Sequence, residues 1–173
     1  MSAMARSFDI VTESAASVEQ IHSAFGREDY WLARLAPAGA TTALDSLTVE
    51  DDGTVTARVT QHLGRQVLPG PVAKLIPGDL KIVHTETWRP VGDRQVQGQV
   101  RVAASPGLGS GHGEAWLEPS GNGSQMRFVL SVEIKIPLLG GKLEKSMGAG
   151  LVKNIPELQR FTTSWIAEHH GIG

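Results

Sequence analysis

Two segments of this sequence carry a histidine, a glutamate and a tryptophan at alternate positions. The two triplets are His84, Glu86 and Trp88, and His112, Glu114 and Trp116. Side chains at i and i+2 lie on the same face of a β-strand, so each segment places an imidazole beside a carboxylate. Such a pair can move a proton on a bound carbonyl compound. The same groups are ligands that zinc or iron accepts.

The distance between the two pairs argues against a shared metal ion. In an antiparallel meander their strands are second neighbours, with Gln95–Val102 between them. Two strand spacings separate the pairs by roughly 10 Å, which is too far for one coordination sphere. We therefore expect no metal centre and no cofactor. Catalysis stays an alternative, in which His84 or Glu86 is the general base.

The orientation of each pair decides whether it can meet a ligand. Leu80, Ile82 and Trp88 share the parity of His84 and Glu86, which favours the apolar face of the sheet for this pair. For the second pair the sequence leaves the orientation open, because apolar residues occur on both parities of that segment. An exposed pair would be an ordinary solvated surface.

Alternating apolar and polar residues predict the strands that position these groups. Before the meander, Ser17 and Gln20 have capping-box spacing for a short helix, and a second short helix covers Glu28–Leu35. Asp51-Asp52-Gly53 is typical of a hairpin turn. The predicted strands are Phe8–Glu13, Thr41–Glu50, Thr54–Gln61, Leu80–Trp88, Gln95–Val102, His112–Glu118 and Gln125–Ile136.

The apolar spacing changes to three and four residues from Lys142, which predicts one long amphipathic helix. Pro156 removes a backbone donor, so we expect a kink or break near residues 153–156. A sheet with one apolar face needs such a helix as its cover. The apolar stripe consists of Leu143, Met147, Leu151, Ile155, Leu158 and Trp165.

Composition narrows the classes of function. The 173 residues suit a single domain, residues 1–173, and 16 basic against 18 acidic residues give a net charge of −2. With no cluster of Lys and Arg, we expect no nucleic-acid partner. The sequence has no cysteine, no signal-peptide core and no apolar run that could span a membrane. We expect a soluble, cytoplasmic protein.

Three phrases of the sequence, Glu86-Thr-Trp-Arg-Pro90, Gly113-Glu-Ala-Trp-Leu-Glu-Pro119 and Ile136-Pro-Leu-Leu-Gly-Gly-Lys-Leu-Glu144, carry a family resemblance. Together with the element order, they resemble the START-like (SRPBCC) helix-grip superfamily, and more narrowly an actinobacterial branch of unknown function. The resemblance implies an α+β fold in which a curved seven-stranded antiparallel sheet surrounds a long C-terminal helix. It also implies an internal cavity that in relatives holds lipids, sterols, polyketides or other apolar small molecules.

We therefore predict a protein that binds a small hydrophobic ligand between sheet and helix, with His84 and Glu86 supplying polarity. An aromatase/cyclase-like enzyme acting on a hydrophobic carbonyl substrate is one alternative, and a protein–protein interaction module is another. The segment 62–79 interrupts the meander, and we predict that Leu68, Val72 and Leu75 form a portal. The predicted cavity walls are Trp88, Phe128, Leu130, Val132, Leu151, Ile155 and Leu158.

Overall fold

The computed structural model describes residues 6–64, 73–74, 79–105, 107, 109–135 and 140–169. Seven strands form one antiparallel sheet in the order β1-β7-β6-β5-β4-β3-β2. Sequential strands from β2 to β7 are neighbours, and β1 pairs with β7. The strands are β1 (Arg6–Ser14), β2 (Thr42–Val49), β3 (Val55–Leu63), β4 (Leu80–Pro90), β5 (Val96–Ser105), β6 (Gly109–Ser120) and β7 (Gly123–Ile134).

Two short helices follow β1, as the sequence predicts. Helix α1 (Val18–Phe25) begins with a complete capping box: the Gln20 amide donates to the Ser17 hydroxyl, and the Ser17 amide donates to the Gln20 side-chain oxygen. Helix α2 (Glu28–Leu35) has the predicted bounds, and a 3-10 turn (Ala36–Thr41) leads into β2. The capping box fixes the direction in which the chain leaves the sheet edge.

The predicted hairpin between β2 and β3 is confirmed. Gly53 has a φ of 90°, a conformation that favours glycine, and its amide donates to the Glu50 carbonyl at 2.9 Å. The Asp52 carboxylate accepts from the Thr54 amide at 2.9 Å. This local hydrogen bonding sets the register of the hairpin, in which Val49 pairs with Val55.

The C-terminal helix α3 (Gly140–His169) lies against one face of the sheet, here called the inner face. Its closest approaches to the sheet are to β1 and β7. Ser14 and Thr163 share a hydrogen bond of 2.6 Å, and the buried Glu144 carboxylate accepts from the Ile134 amide at 2.8 Å. The helix is continuous through Pro156, so of the predicted kink or break near residues 153–156 the break is wrong, and a kink stays a prediction.

An aromatic cluster fills one end of the space under the helices. Tyr30 and Trp31 of α2 are 0% and 1% exposed. Phe25 packs on Trp88 with ring centroids 4.8 Å apart, and Tyr30 meets Trp165 of α3 edge to face at 5.3 Å. Aromatic pairs in these geometries stabilise beyond the area that they bury. This cluster holds α1, α2, α3 and β4 together and confirms the helix-grip arrangement.

Candidate functional site

Glu86 is the centre of a buried polar group on the inner face, and its side chain is 4% exposed. Its Oε2 atom accepts from Arg34 Nη2 at 2.7 Å and lies 2.5 Å from His84 Nε2. Its Oε1 atom accepts from Trp88 Nε1 at 3.0 Å. Three different side chains therefore satisfy one carboxylate, as a buried charge requires.

Local structure explains why these groups meet. His84, Glu86 and Trp88 alternate along β4 and share the inner face, opposite Val59 and Ala57 of β3. Arg34 reaches the carboxylate from α2, where it follows Tyr30 by one helical turn. The sheet supplies the acid and the imidazole, and the helix supplies the cation.

The charges determine the protonation of the group. Burial alone would raise the pKa of Glu86, but the Arg34 guanidinium and the His84 imidazole outweigh it, so this pKa lies well below its ordinary value of 4.5. Burial raises the pKa of the Tyr30 phenol above its ordinary value of 10.0. At neutral pH Glu86 is therefore ionised and the Tyr30 phenol keeps its proton.

Hydrogen bonds continue from this group to α3. The Thr162 hydroxyl donates to the Leu158 carbonyl at 3.0 Å, so its single hydrogen is used there. In the 2.6 Å contact between Tyr30 and Thr162, Tyr30 is consequently the donor. The Tyr30 oxygen also interacts with the Arg34 guanidinium. The polar group thus connects β4, α2 and α3.

The second histidine–glutamate pair lies elsewhere. His112 pairs with Arg101 across the β5–β6 ladder, and His112 and Glu114 are exposed on the outer face. Trp116 on the same face is 39% exposed. The orientation that the sequence left open is now settled: the two pairs lie on opposite faces of the sheet. They do not form one site.

The predicted wall residues of the sheet all lie on the inner face. Trp88, Leu130 and Val132 are buried and Phe128 is half-buried. On α3, Ile155 and Leu158 are half-buried, while the side chain of Leu151 lies outside the described residues. The portal residues Leu68, Val72 and Leu75 also lie outside the described residues. A ligand-binding role for these residues stays a prediction.

Arg34 is the functional residue that sequence reasoning missed. The pattern of α2 offered a signal, because Arg34 is four residues from Tyr30 and therefore on the same helical face. A buried aromatic and an arginine on one face indicate that the arginine points towards the sheet. The acidic partner on β4 could not be assigned without the packing of α2.

No cluster of three or more metal-ligating side chains occurs among the residues that the structure describes. Within the same residues, no helix is long and apolar enough to cross a membrane. An open depression of about 240 Å³ lies on the outer face, lined by polar side chains that include Thr87, Arg89 and Gln99. It lies on the opposite face of the sheet from the Glu86 side chain, and its lining residues are all polar or charged, so we do not assign it to the candidate site.

Sheet order and helix placement together define a START-like helix-grip fold. A START superfamily protein from Mycobacterium smegmatis has this fold, with a TM-score of 0.53 and 15% identity over 94% of this chain and 97% of that chain. The di-domain ARO/CYC protein StfQ from the steffimycin biosynthetic pathway matches 97% of this chain with 52% of its own, at a TM-score of 0.59 and 14% identity.

Within this class, the chain belongs to the family described as "Protein of unknown function (DUF2505)", whose model matches residues 9–166. The uncharacterized protein Rv0481c of Mycobacterium tuberculosis is a relative, 36% identical over 173 residues that cover 96% of this chain and 99% of the relative.

Proposed function

We propose that this protein binds a small apolar or amphipathic molecule between the inner face of the sheet and α3. The proposal includes the predicted wall residues and a cytoplasmic location. It follows from the uneven way in which the helices cover the inner face.

The observation that carries the proposal is a difference in burial between the two ends of the inner face of β4 to β6. At one end Trp88 and Val96 are buried in the aromatic cluster. At the other end Ile82, Val102 and Gly111 have the same inward orientation but remain half-buried. Apolar residues that face the helices and keep solvent access indicate space beneath the cover.

Gly111 on β6 adds room at this end of the sheet. It pairs with Val102 on one side and Val132 on the other. A Cβ atom added at Gly111 would meet no atom closer than 3.4 Å, so a side chain can be accommodated there. A mostly apolar surface with a few polar groups is typical of small-molecule sites. Here His84 is the polar group, in the same cross-strand row as Val102 and Gly111.

The comparisons support the same class of function. The protein StfQ, which shares the fold, is named ARO/CYC and comes from a biosynthetic pathway. Helix-grip relatives thus include proteins that accommodate organic molecules. The likeness supports a ligand-binding role here without specifying the ligand.

Filling the space from Gly111 tests the proposal. The probe is N-phenyl-1-naphthylamine, a neutral apolar dye whose fluorescence rises on leaving water. We expect Gly111→Leu to weaken dye binding about tenfold or more, because the leucine side chain would occupy the space over residue 111 that the dye needs. The matched control is His112→Leu, the adjacent residue on the outer face, which should bind dye like the wild type.

Unfolding measurements accompany the binding assay. Gly111→Leu should keep the wild-type melting temperature or exceed it, since glycine weakens a strand interior. His112→Leu should keep it, because the replaced side chain is exposed. Native mass spectrometry of freshly purified protein should show a co-purifying small molecule that the Gly111→Leu variant lacks. If wild type and Gly111→Leu bind the dye equally, the proposed site is wrong.

A proton-transfer enzyme is the second candidate, because the His84 imidazole and the Glu86 carboxylate are 2.5 Å apart. In that arrangement Glu86 would stabilise the imidazolium that forms when His84 removes a proton. The test is deuterium exchange into the acidic C–H positions of 2-tetralone, followed by NMR. An enzyme should accelerate exchange over buffer and lose the acceleration in His84→Phe, whereas a carrier should give the buffer rate in both.

A further inference from the structure

The Glu86 carboxylate determines which nitrogen of His84 carries hydrogen. An ionised carboxylate only accepts hydrogen bonds, and His84 Nε2 lies 2.5 Å from its Oε2 atom. Nε2 must therefore be the donor. In a neutral imidazole the other nitrogen, Nδ1, then carries a lone pair and is an acceptor. Arg34 and Trp88 also donate to Glu86, so this carboxylate accepts hydrogen bonds from three side chains.

The Nδ1 atom of His84 is available to a ligand. Within the described part of the chain, His84 hydrogen-bonds only to Glu86, through Nε2. Its side chain is 31% exposed, although it lies on the inner face. A positioned acceptor with solvent access on a helix-covered face is a group that a bound molecule can use.

The neighbours of His84 restrict what that molecule can be. In its cross-strand row the neighbours of His84 are Val59, Val102, Gly111 and Val132, with Leu44 and Arg6 at the two ends of the row. A ligand that lies between Val59 and Val132 meets an apolar surface with one hydrogen-bond acceptor. A carboxylate ligand would place acceptor against acceptor at Nδ1 of a neutral imidazole and gain no hydrogen bond there, which is unfavourable for a desolvated charge.

We infer that the ligand carries an aromatic or enolic hydroxyl group that donates a hydrogen bond to His84 Nδ1, while its planar apolar body lies over Gly111. The inference rests on the proposed function. Strands β4 and β6 are two strand spacings apart, so a ligand that extends roughly 10 Å from its hydroxyl group reaches from His84 to Gly111. Phenols and enols combine such a planar body with a hydroxyl that donates more strongly than that of an aliphatic alcohol. Glu86 and Arg34 are positioning residues in this arrangement, since they fix the imidazole and do not touch the ligand.

Two probes test the inference: 2-naphthol, and 2-methoxynaphthalene, in which a methyl group replaces the hydroxyl hydrogen. The measurements use ¹⁵N-histidine-labelled protein at a pH below the ordinary phenol pKa of about 10 at which the ¹⁵N shifts show a neutral His84 imidazole. The free protein should show His84 with hydrogen on Nε2. We expect 2-naphthol to shift the His84 Nδ1 resonance, and 2-methoxynaphthalene to bind without shifting it.

Affinities give a second readout. The preference of each protein is the dissociation constant of 2-methoxynaphthalene divided by that of 2-naphthol. This preference should be roughly 2- to 10-fold greater in the wild type than in His84→Phe, the range expected for one hydrogen bond. His112→Phe on the outer face is the matched control and should keep the wild-type ratio. The NMR arm needs no variant, so the test stands even if His84→Phe does not fold.

The outcomes separate the two proposals. If neither naphthalene probe nor N-phenyl-1-naphthylamine binds, the proposed function fails and the inference falls with it; if the dye binds and 2-naphthol does not, the inference alone is wrong. If both bind and the Nδ1 resonance does not move, the inference is wrong while the binding function stands. A His84 resonance with hydrogen on Nδ1 in the free protein would also overturn the inference.

Discussion

At the scale of single residues, Glu86 depends most on its neighbours. A buried carboxylate loses its hydration, and Arg34 restores most of that loss through a two-pronged contact with Nη2–Oε2 at 2.7 Å and Nη1–Oε1 at 3.5 Å. The guanidinium itself lies 4.4 Å from the Trp31 ring, which holds it in place from the other side. Removal of the Arg34 guanidinium would leave the Glu86 carboxylate buried without its opposite charge.

Replacement of Arg34 by methionine tests this dependence. We expect Arg34→Met to lower the free energy of unfolding by about 3–5 kcal/mol, the usual cost of leaving one member of a buried ion pair without its partner. Denaturant titration measures it. The control is Arg94→Met, which removes an exposed partner of Glu19 and should change stability little. Addition of Glu86→Leu to Arg34→Met should restore much of the loss; equal stability of the Arg34 and Arg94 variants would contradict the burial argument.

The lowered pKa of Glu86 also predicts an acid-sensitive contribution to stability. Well above pH 4.5 the carboxylate is ionised in both the folded and the unfolded chain, and its contribution is complete. As pH falls through and below 4.5, the unfolded chain binds the proton first, so this contribution is progressively lost. The difference in unfolding free energy between wild type and Glu86→Gln should be constant near neutral pH and shrink towards acid. A difference that stays constant into acid would contradict the lowered pKa.

At the scale of elements, Trp88 connects β4 to β5 without a hydrogen bond to that strand. Its ring covers Gly98, and a Cβ atom at that position would overlap the ring. Trp88 cannot easily move away, because Phe25 packs against it and Glu86 accepts its indole hydrogen. A glycine is therefore required in the middle of β5, where strand propensity alone would disfavour it.

An alanine pair on neighbouring strands tests this packing. We expect Gly98→Ala to destabilise the protein by about 1–3 kcal/mol, the cost of overpacking a filled core, and to alter tryptophan fluorescence. Gly111→Ala on β6 is the control, since the nearest atom to its Cβ would be 3.4 Å away, an ordinary van der Waals contact. Thermal unfolding compares the two. Equal melting temperatures would show that the Trp88 ring can move.

Local patterns made the elements predictable from sequence. The Ser17–Gln20 capping box, the Gly53 turn and the bounds of α2 depend on neighbours within a few residues, and all three are confirmed. The parity of β4 also gave the inward orientation of His84. Arg34 was missed because its partner is 52 positions away in sequence, a distance at which no local period carries information.

The whole molecule adds what neither scale contains: the unequal cover that α3 gives to the inner face of the sheet. Sequence gives the apolar stripe of α3 and the apolar face of each strand. It does not say that α3 lies mainly against β1 and β7 while Ile82, Val102 and Gly111 stay half-buried. The aromatic contacts of Tyr30 with Trp165 belong to the buried end, and only packing shows which end that is.

Hydrogen exchange should distinguish the edge strand β2 from the central strands β5 and β6. Strand β2 is an edge strand that pairs only with β3, has a register shift between Leu44 and Ser46, and contains no buried residue. We expect its amides to exchange by local opening, while those of β5 and β6 exchange only on global unfolding. A ligand on the inner face protects against openings that destroy its site. At 100 times its dissociation constant, N-phenyl-1-naphthylamine should therefore stabilise β5 and β6 amides by about 2.7 kcal/mol and leave β2 unchanged. Equal added protection in β2 would mean that the edge opens only together with the binding site, contrary to the division proposed here.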